Sequence, residues 1–179
     1  MAILKIRKYG DPVLRNKAER IEEINGEIVE LSNDMLETMY AYDGVGLAAN
    51  QVGVLKRIIV VDLSPKDPAY KPLILINPVI IEAEGQEVFE EGCLSIPEVT
   101  ADVVRPDHIL VRALSTDGRR IEIEAEGLLA RALQHEIDHL DGVLFIDRVS
   151  FMKRQLLKGQ LRKLERETLR EIGLKGDET

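Results

Sequence analysis

The chain is short of cysteine, of histidine and of long apolar runs, and each shortage narrows what it can be. Cys93 is the one cysteine among 179 residues, so no intrachain disulfide can form and no disulfide partner is expected. A lone thiol suits a reducing compartment, where thiolates serve chemistry or metals. No apolar stretch approaches the roughly 20 residues needed to span a bilayer. Met1 to Arg7 lacks the apolar segment of a signal peptide. These features predict a soluble, cytoplasmic protein that engages no membrane. The net charge of −8 gives no global electrostatic case for nucleic-acid binding. Hydrophobic residues make up 45%, enough for a sizeable core and too many for a disordered chain. No internal repeat or second domain is visible, so residues 1–179 read as a single domain.

Of only three histidines, two fall in one stretch, Gln134-His135-Glu136-Ile137-Asp138-His139-Leu140-Asp141-Gly142. On a helix the H-E-x-x-H spacing sets His135 and His139 on one face, one turn apart. Two such nitrogens can bind one metal ion, and the intervening glutamate can act on a water bound to it. The helix itself is expected: Leu128, Leu129, Ala132, Leu133 and Leu140 give an apolar stripe, no proline interrupts it, and Gly142 is a stop signal. The third histidine, His108, opens a strand away from other metal-type residues and reads as a surface or capping residue.

Elsewhere the chain alternates strand and helix signals. A helix is expected from Glu27 to Tyr42, with Met35 and Met39 in its core face. The stretch Asp43 to Gly53 is lean in side chains, which lets backbone approach something closely. It lacks a phosphate-loop fingerprint. Asn50 and Gln51 are its only amide side chains, either ligand donors or surface amides in a tight turn. Strands are expected at 57–63, 73–76, 79–81, 100–105, 109–113 and 121–125. Asn77-Pro78 should break the second from the third, and turns fall near Gly85 and Ser115-Thr116-Asp117-Gly118. Cys93 follows Gly92 in what reads as an exposed loop, where it is a ligand, a nucleophile or a structural thiol. Ser150 caps a final helix, Phe151 to Ile172, with Leu157, Leu161, Leu164, Leu169 and Ile172 on one face. Seven basic residues against two glutamates give 151–170 a charge of +5, leaving −13 for the rest. That basic face either docks on a polyanion or is simply solvated. Gly173 to Thr179 reads as a frayed tail. Antiparallel strands around a central H-E-x-x-H helix, with an N-terminal and a C-terminal helix, make the fold class α+β.

A catalytic site commonly takes three protein ligands and keeps one position open. No histidine follows the motif, so the third ligand is Asp141, Asp147 or the distant Cys93. Imidazole with thiolate suits iron, zinc, nickel or cobalt alike. Carboxylates that accept from a metal-bound histidine's other ring nitrogen orient it, and Asp138 or Glu91 could do this here, with Glu91 able to pair with Arg105.

Three stretches together, G-V-G-L-A-A-N-Q at Gly44 to Gln51, E-G-C-L-S at Glu91 to Ser95, and Q-H-E-I-D-H-L-D-G at Gln134 to Gly142, resemble peptide deformylase, in that family's order and over nearly the whole chain. The resemblance implies a metallohydrolase that removes the formyl group from the N-terminal formylmethionine of nascent polypeptides and releases formate. It implies one divalent ion, Fe2+, with Zn2+, Ni2+ or Co2+ able to replace it, held by Cys93, His135 and His139. It makes Glu136 the acid–base group, and Gln51 and the Leu94 backbone N–H the donors to the oxyanion. Val45, Gly46 and Gly92 would bind the substrate backbone, and Phe89, Leu128 and Ala132 would wall the methionine pocket. A basic residue found after Glu98 in some relatives is replaced here around Val99-Thr100. The helical C-terminus resembles the bacterial type whose tail helix is implicated in ribosome docking. The alternatives are another H-E-x-x-H zinc peptidase, with Asp141 or Asp147 as ligand, and a non-enzymatic metal-binding or ribosome-associated factor.

Overall fold

The first helix, α1 (Gly26–Ala41), starts where Asn25 accepts a hydrogen bond from the Ile28 amide at 3.1 Å. Its buried face carries Ile28, Met35 and Met39, so the methionines are core. The two buried hydroxyls on that face bond back one turn, Ser32 to the Ile28 carbonyl at 2.8 Å and Thr38 to the Asp34 carbonyl at 2.7 Å. The computed structural model describes residues 2–173. The expected frayed tail therefore lies, beyond Gly173, outside the described residues.

Seven strands follow α1: β1 (Gly46–Ala48), β2 (Ile58–Val61), β3 (Leu73–Glu84), β4 (Glu87–Cys93), β5 (Ile96–Arg105), β6 (His108–Leu114) and β7 (Arg120–Glu126). Five pair antiparallel in the order β1-β2-β3-β6-β7, and β4-β5 form a separate antiparallel pair. β2 is the sheet's most buried strand because both faces are covered. Ile59 and Val61 pack with the second helix, α2 (Gly127–Leu140), whereas Ile58 and Val60 pack with α1. Successive side chains point to opposite faces, so four β-branched residues serve two cores.

The expected break at Asn77-Pro78 is instead a bulge within β3, where the register against β6 shifts between Ile76 and Val79. Proline gives up one ladder bond and is tolerated at such a point. Asn77 adopts φ of 51°, and its carboxamide holds both backbone groups of Ile21, each at 2.9 Å. The side chain anchors the N-terminal segment to the sheet and so stabilises the backbone kink it sits on.

α2 buries ten of its 14 residues. Its last carbonyl, that of Leu140, accepts from the Ala18 amide at 2.8 Å and from Arg57 at 3.1 Å. Gly142 ends the helix with φ of +73°, and a Cβ there would lie 2.5 Å from the Arg15 carbonyl oxygen. The final helix, α3 (Phe151–Glu171), is capped by the Ser150 hydroxyl, which accepts from the Lys153 amide at 3.2 Å. Leu157 and Leu161 are buried as expected, with Leu164 packed beside them, but Thr168 rather than Leu169 completes the buried face. No helix among the described residues is long and apolar enough to cross a membrane. His108 sits at the surface, bonded to Glu124 at 2.8 Å.

Asn77→Ala removes two hydrogen bonds and puts at positive φ a residue that tolerates this region less well than asparagine, so urea unfolding should show a loss of about 2–4 kcal/mol. Asn77→Gly relieves the backbone and should lose less. Equal stability of Asn77→Ala and the native chain would show that the bulge is not anchored this way.

Candidate metal centre

α2 delivers His135 and His139 to one face because Leu133, Ile137 and Leu140 lock its other side into the core. The end of β4 delivers Cys93. It is not in a loop, as expected, but is the last strand residue, paired with Ile96 across the two-residue turn Leu94-Ser95. A register irregularity between Glu91 and Cys93 re-aims the strand at this point. The Cys93 sulfur and one nitrogen of each imidazole lie within 4.8 Å of one another, and Sγ is 3.4 Å from His139 Nε2. Bonds of about 2.3 Å to sulfur and about 2.1 Å to nitrogen in a tetrahedral site would separate S and N by about 3.5 Å. One thiol and two imidazoles at this spacing fit a divalent metal ion.

The acids that competed for the third place are engaged elsewhere. Asp141 pairs with Arg57 at 3.1 Å, and Asp147 pairs with Arg15 at 2.5 Å and with Arg154 at 3.2 Å.

Glu91 organises the layer behind the histidines. Its Oε1 lies 2.9 Å from His135 Nδ1 and 2.9 Å from Arg105 Nη2, and its Oε2 lies 2.6 Å from Arg105 Nε and 2.5 Å from Arg131 Nη1. Burial pushes the Glu91 carboxyl up, but His135 and Arg105 outweigh it and bring it down to about 2. A carboxylate with no proton to give makes Nδ1–H of His135 the donor. Nε2 is then the nitrogen free to ligate. Phe145 stacks on the same ring at 6.0 Å. Asp138, the other carboxylate considered, instead bonds Arg105 at 2.9 Å and Arg148 at 2.6 Å.

Two further side chains complete the pocket. Glu136 is 5% exposed, and its Oε2 has no protein hydrogen-bond partner. Burial raises its carboxyl to about 7, so it can exchange a proton near neutrality. Gln51 is buried, its Oε1 accepting from the Ala48 amide at 2.9 Å. That leaves Nε2 to donate, 3.1 Å from Ser95 Oγ and 3.5 Å from Cys93 Sγ. Asn50, its neighbour, is equally buried but bonds the Asn16 carbonyl at 2.8 Å. The surface-turn alternative for the two amides is therefore overturned, and their roles separate.

The lean stretch before them is explained by contact. A Cβ on Gly46 would lie 2.8 Å from Glu136 Oε1, and one on Gly44 would lie 2.8 Å from Leu94 Cδ1. Val45, Leu128 and Ala132 pack into one cluster. Phe89 stands half-exposed, with the Arg131 guanidinium 5.7 Å from its ring centre. Gly92 is exposed. Arg131 and Ser95 were not singled out from the sequence. Arg131 carried a usable signal, a charge four residues before His135 on the same helix face.

The family model described as polypeptide deformylase matches residues 3–155. The chain belongs to the polypeptide deformylase family. A peptide deformylase from Thermodesulfovibrio yellowstonii is 56% identical over 158 residues, spanning 88% of this chain and 96% of that one. The crystal structure of a peptide deformylase from Ehrlichia chaffeensis in complex with actinonin superposes with a TM-score of 0.85 at 40% identity, covering 93% of this chain and 99% of that one. A plant peptide deformylase gives a TM-score of 0.92 at 37% identity, covering 98% and 96%. As a deformylase family member the chain is a hydrolase of α+β fold, and the family implies a divalent metal.

Glu91→Gln keeps the shape but leaves two buried guanidinium groups short of a counter-charge. It should cost roughly 3–5 kcal/mol in unfolding at neutral pH and weaken metal binding about 10–100-fold. Because the folded carboxyl lies below its ordinary value, its contribution is present above about pH 4.5 and is lost as pH falls toward 2. That contribution is on the order of 3 kcal/mol. Native protein should therefore lose stability across that window and Glu91→Gln should lack this component. Parallel acid profiles would refute the assignment.

Proposed function

We propose that Cys93, His135 and His139 hold one divalent ion, ferrous iron, and that the site hydrolyses the formamide of N-formylmethionyl nascent polypeptides. The observation that carries the reading is the convergence of one thiol and two imidazoles beside a buried glutamate with an oxygen that no protein group bonds. A divalent ion at such a site supplies Lewis-acid charge and makes water acidic enough to be deprotonated near pH 7.

The protein's groups then divide the work. Glu136 accepts the proton of the attacking water as the water oxygen bonds to the formyl carbon. Gln51 Nε2–H and the Leu94 backbone N–H donate to the formyl oxygen as it gains charge. A fixed donor of this kind is worth on the order of 3 kcal/mol. When the C–N bond breaks, Glu136 returns the proton to the leaving nitrogen. One water and one formamide become formic acid and an amine, and passage of the acid's proton to the amine leaves formate and an ammonium group.

The substrate backbone adds along β1 through Val45 and Gly46, with Gly92 on its other side. β1 is an outer strand of its sheet, paired with β2, which supports strand addition there. Leu128 and Ala132, with Phe89 at the rim, wall the methionine pocket. The working unit is one catalytic domain, residues 1–179, acting in the cytoplasm on chains as they emerge. The basic α3 docks on the ribosome, in keeping with Phe151, Met152 and Leu156 standing exposed at its first turns.

The decisive assay is formate release from a formylmethionyl tripeptide by anaerobically purified, iron-loaded protein. Glu136→Ala should lower turnover by roughly 10²–10⁴-fold with metal content unchanged. Full activity in Glu136→Ala would end this reading. Gly46→Ala should drive its methyl against Glu136 and lower kcat with metal retained; a kcat equal to the native value would show the contact to be slack.

A further inference from the structure

The segment ahead of the first helical turn bonds the main-chain carbonyls of both residues that carry the proposed oxyanion donors. The Arg7 amide donates to the Gln51 carbonyl at 2.7 Å, and the Tyr9 amide donates to the Ser95 carbonyl at 2.8 Å. Between them the Lys8 ammonium donates to the Leu94 carbonyl at 3.1 Å. Three successive residues thus reach the residue that carries one donor and both residues of the turn that carries the other. The strap is itself tied down: the Asp11 amide donates to the Lys8 carbonyl at 3.0 Å, and Arg7 pairs with Asp11 at 3.3 Å.

We propose that Lys8 is a positioning residue for the deformylation reaction, its ammonium gripping the Leu94 carbonyl so that the Leu94 N–H stays aimed at the formyl oxygen. The inference rests on the deformylase reading, in which that N–H is a donor. Leu94 and Ser95 form the whole turn between β4 and β5, and the peptide planes of so short a turn can pivot. Two carbonyls follow the donor N–H, and the strap holds each of them. The Ser95 carbonyl is held by a neutral amide. The Leu94 carbonyl, nearer the donor, is held by a charged group, and charge-assisted hydrogen bonds are roughly twice as strong as neutral ones. Lys8 is half-buried and, among the described residues, forms no ion pair with a carboxylate, so its charge is not spent on a competing acid. A misaimed donor loses most of its value in the transition state and little in the ground state. The effect should therefore appear in kcat rather than in KM.

The test uses full-length, metal-loaded protein and the variants Lys8→Met, Lys8→Gln and Lys8→Arg. Methionine has the reach without the donor, glutamine has a donor without the reach, and arginine has both. Lys8→Met and Lys8→Gln should each lower kcat about tenfold with KM and metal content unchanged, and Lys8→Arg should restore most of it. In the zinc-loaded protein the Leu94 amide 1H–15N resonance should move in Lys8→Met and Lys8→Gln and hold in Lys8→Arg. Having two donor-loss variants keeps the test decisive if one fails to fold. Native kcat in either folded donor-loss variant, or a loss that appears as raised KM or missing metal, would overturn the inference alone. A native chain that releases no formate overturns the functional reading and this inference with it.

Discussion

The buried carboxylate of Glu91 is the interaction on which the rest depends. It is 6% exposed and meets two guanidinium groups and one imidazole. A charge so placed is stable only because every partner is present. The partners come from different layers: Glu91 from β4, Arg105 from β5, and Arg131 and His135 from α2. The ion pairs therefore do what apolar packing alone does loosely, and set the two-stranded pair against the helix in one register. Cys93 lies two residues beyond Glu91 on the same strand. Whatever holds Glu91 to His135 also holds the sulfur to the imidazoles.

A second constraint is closeness of backbone. Gly46 brings β1 against Glu136, and Gly44 brings the preceding turn against Leu94. The main chain that lines the site consequently presses on the acid–base candidate itself. Gln51 follows at once in the 3-10 turn Ala49–Val52, its orientation fixed by the Ala48 amide. The lean Gly44–Gly46 backbone and the sharply turned Ala49–Val52 segment thus close on the Cys-His-His cluster, the second bringing the Gln51 amide to it. The large antiparallel sheet and the three long helices supply the rigidity that such loops lack.

Much of this was legible in the residues. The 3.6-residue period placed α1, α2 and α3 within one or two residues, and the four-residue separation of His135 and His139 needed only the helix to become a pair of ligands. Gly142 read correctly as a stop. Other features depended on contacts distant in sequence. Nothing local to Cys93 says that a hairpin end will meet His139, 46 residues later, and no propensity distinguishes Asn50 from Gln51. Here the identification rested on resemblance. β3 was read as two strands because proline argues against a ladder, yet the Asn77 carboxamide outweighed that local preference. The Thr168 position on α3 was missed because its burial reflects what packs above it, not its polarity. Lys8 carries no pattern at all, and Ser95 enters only as the end of a motif; only the folded chain shows what they hold.

That Cys93, His135 and His139 share one cation is tested most directly by X-ray absorption at the metal edge of the zinc-loaded protein. It should show one sulfur at about 2.3 Å and two imidazole nitrogens at about 2.0–2.1 Å, with a lighter oxygen donor completing four-coordination. A first shell of nitrogen and oxygen only, unchanged between native protein and Cys93→Ala, would contradict it.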